Sequence, residues 1–291
     1  MLKKDLVVGF IGIGVMGKSM ASHIMDKGYK LVIYNRTKSR AEDLINKGAT
    51  WMDTVKEVSK AADIIITMVG YPKDVEEVYF GEEGIINNAK GGTYVIDMTT
   101  SEPSLAKKIY NEAKKKGIYS LDAPVSGGDV GAKNASLTIM VGGDEEVFND
   151  MKPLFEIMGK NIVLQGAAGA GQHTKMCNQI VIASNMIGVS EAMVYAKKAG
   201  LNPELVLESI GAGAAGSWSL SNLAPRMIKG DFEPGFYVKH FVKDMKIALQ
   251  EAEAMGLDTP GLALSKELYD ELIKQNKEDK GTQVLFQLFD K

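Results

Sequence analysis

Cysteine is almost missing from this chain: Cys177 is the only one in 291 residues. That excludes an internal disulfide and any metal site built from several thiolates, and it suits a reducing compartment. Histidine is nearly as scarce. His23, His173 and His240 are too far apart in sequence to form a ligand-spaced pair, so no metal is expected. An excess of either charge is absent too. The 34 Lys and Arg against 37 Asp and Glu leave a formal charge of −3, too near neutral for a protein whose main work is neutralising phosphate backbones, so nucleic acid is not an expected partner. Nor does any apolar run approach the ~18 uninterrupted residues of a membrane span. The strongest, residues 61–69, is broken by Asp63. The start has the outline of a signal peptide, with Lys3 and Lys4 ahead of an apolar stretch. Gly9, Gly12, Gly14 and Gly17 punctuate that stretch, however, and Lys18 and His23 interrupt the segment after it, so it reads as buried strand and turn. The expectation is a cytoplasmic protein with no membrane partner.

What remains is ordinary globular material, 45% hydrophobic and 24% charged, in a chain about twice the usual ~150 residues per domain. Two domains are expected. Up to about Gln165, short β-branched runs (6–11, 31–34, 63–69, 94–97, 119–122, 136–141 and 162–164) alternate with helical patterns such as 16–27, 39–47, 75–80, 103–116 and 144–158. Strand then helix, repeated, predicts right-handed crossovers and an α/β fold: a Rossmann-type, doubly wound, mainly parallel sheet. Runs such as Ile64, Ile65 and Ile66 suit strands covered on both faces. After Gly166–Gly171 the alternation stops. Residues 172–198 hold no proline and only Gly188 in their interior, which predicts one long interdomain helix. Helical patterns at 203–210, 220–228, 238–255 and 262–274 make the rest an all-α domain. The expected division is 1–165 for a dinucleotide-binding domain and 166–291 for a helical substrate and oligomerisation domain.

Gly12-Ile13-Gly14-Val15-Met16-Gly17 follows the first apolar strand and opens a helical pattern. In that context the first glycine permits a tight turn, the second lets backbone approach a pyrophosphate, and the third allows close strand–helix packing, with phosphate at the helix N-terminus. About eighteen residues on, where an NAD site would present a carboxylate to the ribose, stand Asn35, Arg36 and Thr37. A guanidinium that can fork onto a 2′-phosphate, beside a hydroxyl, favours NADP(H) over NAD(H).

Two further stretches carry chemistry. Asp122 ends a predicted strand and leads through Pro124 to Ser126, Gly127 and Gly128. A hydroxyl followed by two unencumbered N–H groups is matched to a substrate carboxylate. Lys175 lies near the start of the long helix, one turn before Asn178 and Gln179, spacings that place these polar groups on one face. Partial burial in a cleft would lower a lysine pKa and let the amine exchange a proton near neutral pH, with Asn178 or Gln179 orienting it.

Taken together, residues 9–21 (GFIGIGVMGKSMA), 122–128 (DAPVSGG), 169–179 (GAGQHTKMCNQ) and 243–249 (KDMKIAL) resemble the signatures of the β-hydroxyacid dehydrogenases, NAD(P)-dependent enzymes acting on CH–OH. The resemblance implies that Lys175 is the catalytic acid/base and that Ser126, Gly127 and Gly128 hold the substrate carboxylate. It also implies that Lys243 closes over the nicotinamide side of the cofactor and that Asp244 helps line the substrate pocket. Thr100 should contact cofactor or substrate, and the Met68 and Val69 backbone should border the adenosine. One departure concerns the orienting amide, because many relatives carry Asn four residues after the lysine, where this chain has Gln179 with Asn178 beside it. Trp218 is either a pocket wall or plain core. The implied substrate is a small β- or γ-hydroxy acid or semialdehyde, and the implied assembly is a homo-oligomer, dimer or tetramer. Two other readings are a nonenzymatic NADP-binding sensor or scaffold, and a 6-phosphogluconate-type dehydrogenase, for which Arg226 would be the main phosphate clamp.

Overall fold

The computed structural model describes residues 5–290 and divides into two compact units, one running up to Lys175 and one starting at Met176. The division falls inside a single long helix.

The first unit is built on nine strands: β1 (Val7–Ile11), β2 (Lys30–Tyr34), β3 (Thr50–Trp51), β4 (Ile64–Thr67), β5 (Tyr94–Asp97), β6 (Tyr119–Asp122), β7 (Val125–Ser126), β8 (Leu137–Gly143) and β9 (Gly159–Gly166). They form one sheet in the order β3-β2-β1-β4-β5-β6-β8-β7, with β9 alongside β8. From β3 to β6 every pair is parallel. The chain reverses at the far edge, where β8 runs antiparallel to both β6 and β7 and parallel to β9. This is the mainly parallel, doubly wound sheet that the alternating pattern predicts. Between the strands lie α1 (Val15–Asp26), α2 (Glu42–Asn46), α3 (Val55–Ala61), α4 (Pro72–Phe80), α5 (Ile85–Asn88), α6 (Pro103–Lys115), α7 (Gly128–Lys133) and α8 (Glu145–Phe155). Ile64, Ile65, Ile66 and Thr67 are all buried, as a strand with helices on both faces requires. Each such isoleucine contributes roughly 1.5–3 kcal/mol over an exposed one.

Two buried clusters flank the sheet, one gathering Phe10, Met20, Ile33, Ile66, Leu121 and Phe155, the other Ile11, Ile65, Tyr79, Val95 and Ile109. The strand order reverses between β1 and β4, the position at which open α/β sheets leave a crevice beyond their strand ends. The pattern did not reveal β3, α3, α5, β7 or α7. The two strands have only two residues each, too few for a period of two to register, and α7 begins with a glycine pair that reads as a turn.

The second unit continues α9 (Ala170–Lys198) and adds α10 (Pro203–Gly211), α11 (Trp218–Asn222), α12 (Ala224–Ile228), α13 (Val238–Ala254), α14 (Pro260–Lys274) and α15 (Phe286–Phe289). At 29 residues α9 is about 44 Å long. Met176, Ala183, Met186, Val189, Met193 and Ala196 are its buried apolar positions, spaced by seven and then by three or four residues as one helix face demands. All but Ala196 join a core around Phe241, Met245 and Tyr269. The Phe241 and Tyr269 rings meet edge-on at 5.1 Å, and the buried Tyr269 hydroxyl donates to the Thr282 carbonyl at 2.8 Å. The single helix expected over 220–228 is two short ones, because the chain bends at Leu223 and Pro225 restarts the helix in its first turn. No described helix is long and apolar enough to cross a membrane.

Candidate active site

The glycine loop leaves the end of β1 with three glycines doing three different things. Gly12 adopts φ +102°, and a Cβ there would collide with the Met68 carbonyl oxygen, while its N–H donates to the Tyr34 carbonyl at 3.0 Å. Only glycine satisfies both conditions. At Gly17 a Cβ would drive into the Gly12 carbonyl and press on the Phe10 ring, so strand and helix touch there. A Cβ on Gly14 would meet no protein atom within 4 Å, leaving room for something from outside. Gly14 is also the N-cap of α1 and supplies no side-chain cap, and the first turn carries no acidic residue. Its N–H groups and the positive end of the helix dipole face an open approach, the donor set that suits a pyrophosphate. Ile13, Val15 and Met16 complete the loop, with Val15 exposed.

Asn35 is committed to that loop. Its Oδ1 accepts the Ile13 N–H at 3.0 Å and its Nδ2 donates to the Thr37 carbonyl at 2.8 Å, so the side chain braces the turn. Arg36, with its side chain 74% exposed, donates to Asp74 Oδ1 at 3.1 Å. Asp74 is buried, and its other oxygen accepts the Tyr71 N–H at the start of α4. An ion pair with so exposed a partner contributes about 0–1 kcal/mol and leaves the guanidinium easily re-engaged. Thr37 is exposed and precedes the short 3₁₀ turn Lys38–Ala41. On the facing side, the Met68 N–H donates to the Ile11 carbonyl and the Val69 N–H to Thr99 Oγ1 at 2.9 Å. Met68 and Val69 therefore border Gly12.

Two carboxylates end neighbouring strands in register: Asp97 on β5 and Asp122 on β6. Both are buried. Burial pushes the Asp97 carboxyl up to about 6, against hydrogen bonds from Thr67 and Thr99 and with some help from the nearby Asp122 charge. Asp97 Oδ1 accepts from Thr67 Oγ1 at 2.8 Å and from the Thr99 N–H at 3.1 Å, which shapes the loop that carries Thr100. Burial raises Asp122 as well, opposed by backbone N–H groups. Its Oδ1 accepts from Gly169 N at 2.7 Å and its Oδ2 from Gln172 N at 2.9 Å. A carboxylate takes the place of a cap at the start of α9, and negative charge is favourable there. Gln172 is fully buried. Its Nε2 donates to the Thr99 carbonyl at 2.7 Å and its Oε1 accepts the Ser101 N–H at 2.9 Å. Lys175 follows one turn later and is buried, with 7% of its surface exposed. Ser126 ends β7 opposite Thr138. Gly127 and Gly128, at φ +128° and +62°, turn the chain into α7.

In the helical unit the remaining candidates form a chain of polar contacts. Asn178 Nδ2 donates to Gln179 Oε1 at 2.7 Å, Gln179 Nε2 donates to Asp244 Oδ2 at 2.6 Å, and Lys243 Nζ lies 2.9 Å from Asp244 Oδ1. Gln179 and Asp244 are buried, and the Lys243 side chain is only 11% exposed. One turn earlier on the same helix, burial, with the Lys243 charge next, lowers the His240 pKa. Trp218 is 63% exposed and is therefore not core. Arg226 binds Asp231 with two nitrogens, at 2.8 and 3.0 Å, and also donates to the Glu233 carbonyl, an internal role that does not support a phosphate clamp. Among the described residues no cluster of three or more metal-ligating side chains occurs.

Sequence reasoning missed the bracing residues Asp74, Asp97 and Gln172, and it quoted Asp122 without a role. The signal available was the repetition of Asp at the ends of two adjacent predicted strands. Nothing local pointed to Gln172, whose partners lie 71 and 73 residues away.

Known proteins resemble this chain along nearly its whole length. Residues 7–166 match a family model described as the NAD binding domain of 6-phosphogluconate dehydrogenase. Residues 169–289 match one described as the NAD-binding part of NADP-dependent 3-hydroxyisobutyrate dehydrogenase. An uncharacterized oxidoreductase of Bacillus subtilis is 66% identical over 97% of this chain and 98% of its own length. The 2-hydroxy-3-oxopropionate reductase of Escherichia coli is 42% identical over 90% of both chains. Among solved structures, a Mycobacterium tuberculosis 3-hydroxyisobutyrate dehydrogenase with L-serine superposes with a TM-score of 0.89 at 28% identity, covering 98% of this chain and 99% of that one.

Proposed function

Because the chain belongs to the β-hydroxyacid dehydrogenase family of NAD(P)-dependent oxidoreductases, we propose that it interconverts a small β- or γ-hydroxy acid and its semialdehyde. NADP(H) is the preferred cofactor and Lys175 the general acid/base. One observation carries this reading: the α/β unit gathers its candidates beyond the carboxyl ends of β1, β5 and β6. Gly14 is open at the end of β1, Thr100 stands just after β5, and the start of the Lys175 helix is tied to Asp122 at the end of β6.

A bound nicotinamide would supply or accept the hydride at the carbon that bears the oxygen. The chain's part is orientation and proton transfer. In reduction the Lys175 ammonium polarises the carbonyl oxygen and protonates it as it becomes an alkoxide; in oxidation the neutral amine takes that proton back. Ser126 Oγ and the Gly127 and Gly128 N–H groups hold the substrate carboxylate, a use suited to successive N–H groups at positive φ. Gly12 to Gly17 hold the pyrophosphate, and Arg36 with Thr37 receives the 2′-phosphate. One charge-assisted contact there contributes ~1.5–3 kcal/mol, roughly 10–100-fold in cofactor preference. In the helical unit Lys243 serves the cofactor, while Asn178, Gln179 and Asp244 serve the substrate. We place the enzyme in the cytoplasm as a homo-oligomer, a dimer or tetramer. Exposed Val181 and Tyr195 on α9 support association, and sedimentation would count the copies.

The test follows oxidation of NADPH and NADH with glyoxylate, succinic semialdehyde, tartronate semialdehyde and methylmalonate semialdehyde, in wild type and Lys175→Ala. The expected result is turnover that prefers NADPH and falls by ~10²–10⁴ in the variant. A loss below tenfold removes Lys175 from the role, and NADPH binding without turnover on any carbonyl acid favours a sensor.

A further inference from the structure

We propose that Gln172 is a positioning residue for the reaction, its carboxamide splinting the loop that carries Thr100 to the helix that carries Lys175. The inference rests on the reading of Lys175 as the acid/base.

The geometry is specific. The Gln172 side chain engages the main chain on both sides of Thr100: Nε2 donates to the Thr99 carbonyl at 2.7 Å and Oε1 accepts from the Ser101 N–H at 2.9 Å. A primary amide pairs in this way with one strand edge, reproducing the donor and acceptor that a neighbouring strand would offer. Gln172 N is anchored at the same time on Asp122 Oδ2 at 2.9 Å, and its residue is fully buried. The loop is held from its other end by Asp97, which accepts the Thr99 N–H, and by Thr99 Oγ1, which accepts the Val69 N–H. Thr99 and Ser101 are buried while Thr100 between them is half-buried, so the splint fixes its neighbours and leaves Thr100 as the member that a ligand can reach. Lys175 lies three residues beyond Gln172, one turn along α9. One side chain therefore sets the register between a cofactor-side loop and the proton donor. A displacement of about 1 Å in such a register costs on the order of 10²-fold in rate.

The donor to Thr99 is the part that can be switched. In Gln172→Glu the introduced carboxyl keeps the shape of the amide. Ionised, it presents an acceptor to the Thr99 carbonyl and breaks the splint; protonated, it donates and restores it. The charged groups on the elements around it are Asp122 on β6, which accepts the Gln172 N–H, Asp97 on β5, which accepts the Thr99 N–H, Glu102 at the start of α6, Lys107 on α6, whose stem lies against Gly169, and His173 and Lys175 on α9. Full burial and the Asp122 carboxylate on its own N–H favour the neutral form against the two lysines, so the switch opens with rising pH.

The experiment measures kcat and KM with the best carbonyl acid, and NADPH affinity by fluorescence, at about pH 8 and about pH 5.5 in wild type, Gln172→Glu and Gln172→Met. Expected for Gln172→Glu is a kcat reduced by about 30-fold at the higher pH and within about threefold of wild type at the lower, KM changing less than about threefold throughout. NADPH affinity should weaken about fivefold at the higher pH only. Gln172→Met, which can neither donate nor titrate, should be impaired equally at both. A Gln172→Glu that tracks wild type at both pH values, or is impaired equally at both, overturns the proposal. If wild type turns over no carbonyl acid, the dehydrogenase reading fails by itself, and the pH dependence of NADPH affinity alone decides whether the splint exists.

Discussion

The two units hold their candidate residues by different means. In the α/β unit the fixing ends on backbone: glycine N–H groups, strand-end carbonyls, two carboxylates that receive main-chain donors, and the Asn35 and Gln172 amides that brace main chain. In the helical unit it runs from side chain to side chain, in a row from Asn178 through Gln179 and Asp244 to Lys243. Backbone fixing is written into local sequence as glycine, proline and acidic punctuation. Side-chain fixing depends on residues 65 positions apart and leaves no local mark. The first kind should tolerate changes that keep φ and volume, and the second should fail when one polar atom is removed.

The largest effect that sharpens this contrast is expected at Gly12. Gly12→Ala meets both the positive φ and the Met68 carbonyl and should lower unfolding free energy by more than about 4 kcal/mol in chemical denaturation. A loss under about 1 kcal/mol would mean that the turn is softer than its geometry. Next comes Asp244→Ala, which removes the carboxylate beside the Lys243 ammonium and the acceptor of the Gln179 amide; about 3 kcal/mol is expected from removing one partner of a buried pair. Near-wild-type stability there would show that side-chain fixing is dispensable.

A smaller effect concerns pH. The Asp97 carboxyl titrates at about 6 in the folded protein, held up mainly by burial, and near 3.9 when unfolded. Between those values the native state binds the extra proton, so this group's contribution to stability is present at low pH and is lost as pH rises toward 6. Asp97→Asn should flatten that decline in the urea midpoint between about pH 4 and pH 6, though not abolish it, since burial also raises Asp122. An unchanged slope would assign the decline elsewhere. The smallest change in stability belongs to Gly14→Ala, below about 0.5 kcal/mol, because its Cβ meets no protein atom. NADPH affinity should nevertheless drop by about tenfold or more in a fluorescence titration. If both quantities stay unchanged, the space beside Gly14 holds no ligand.

The same division governs what the sequence makes legible. Strands at Tyr94–Asp97 and Tyr119–Asp122 and the long α9 can be read because apolar period and chain punctuation agree. Gly12, Gly14 and Gly17 suggest separate duties from spacing; in the structure Gly12 takes a tight turn against Met68, Gly17 lets helix touch strand, and Gly14 faces open space. Asn35 shows the limit: its place after β2 suggests ribose recognition, yet its amide braces Ile13 and Thr37, because a short polar side chain beside a tight turn satisfies backbone first. Arg36 is exposed where expected, but its partner Asp74 sits 38 residues on and nothing in the local pattern announces it.

The carboxylate of Asp122 also bears on the order in which the chain assembles. The first turn of α9 takes its cap from a residue 47 to 50 positions upstream, so the cap exists only once β6 has reached the sheet. The longest helix thus has a start that its own sequence does not supply, and a nascent chain must first pair the strands behind it. Its opening amides, Gly169 and Gln172, should become protected from solvent exchange together with the β5–β6 pair and later than the helix middle.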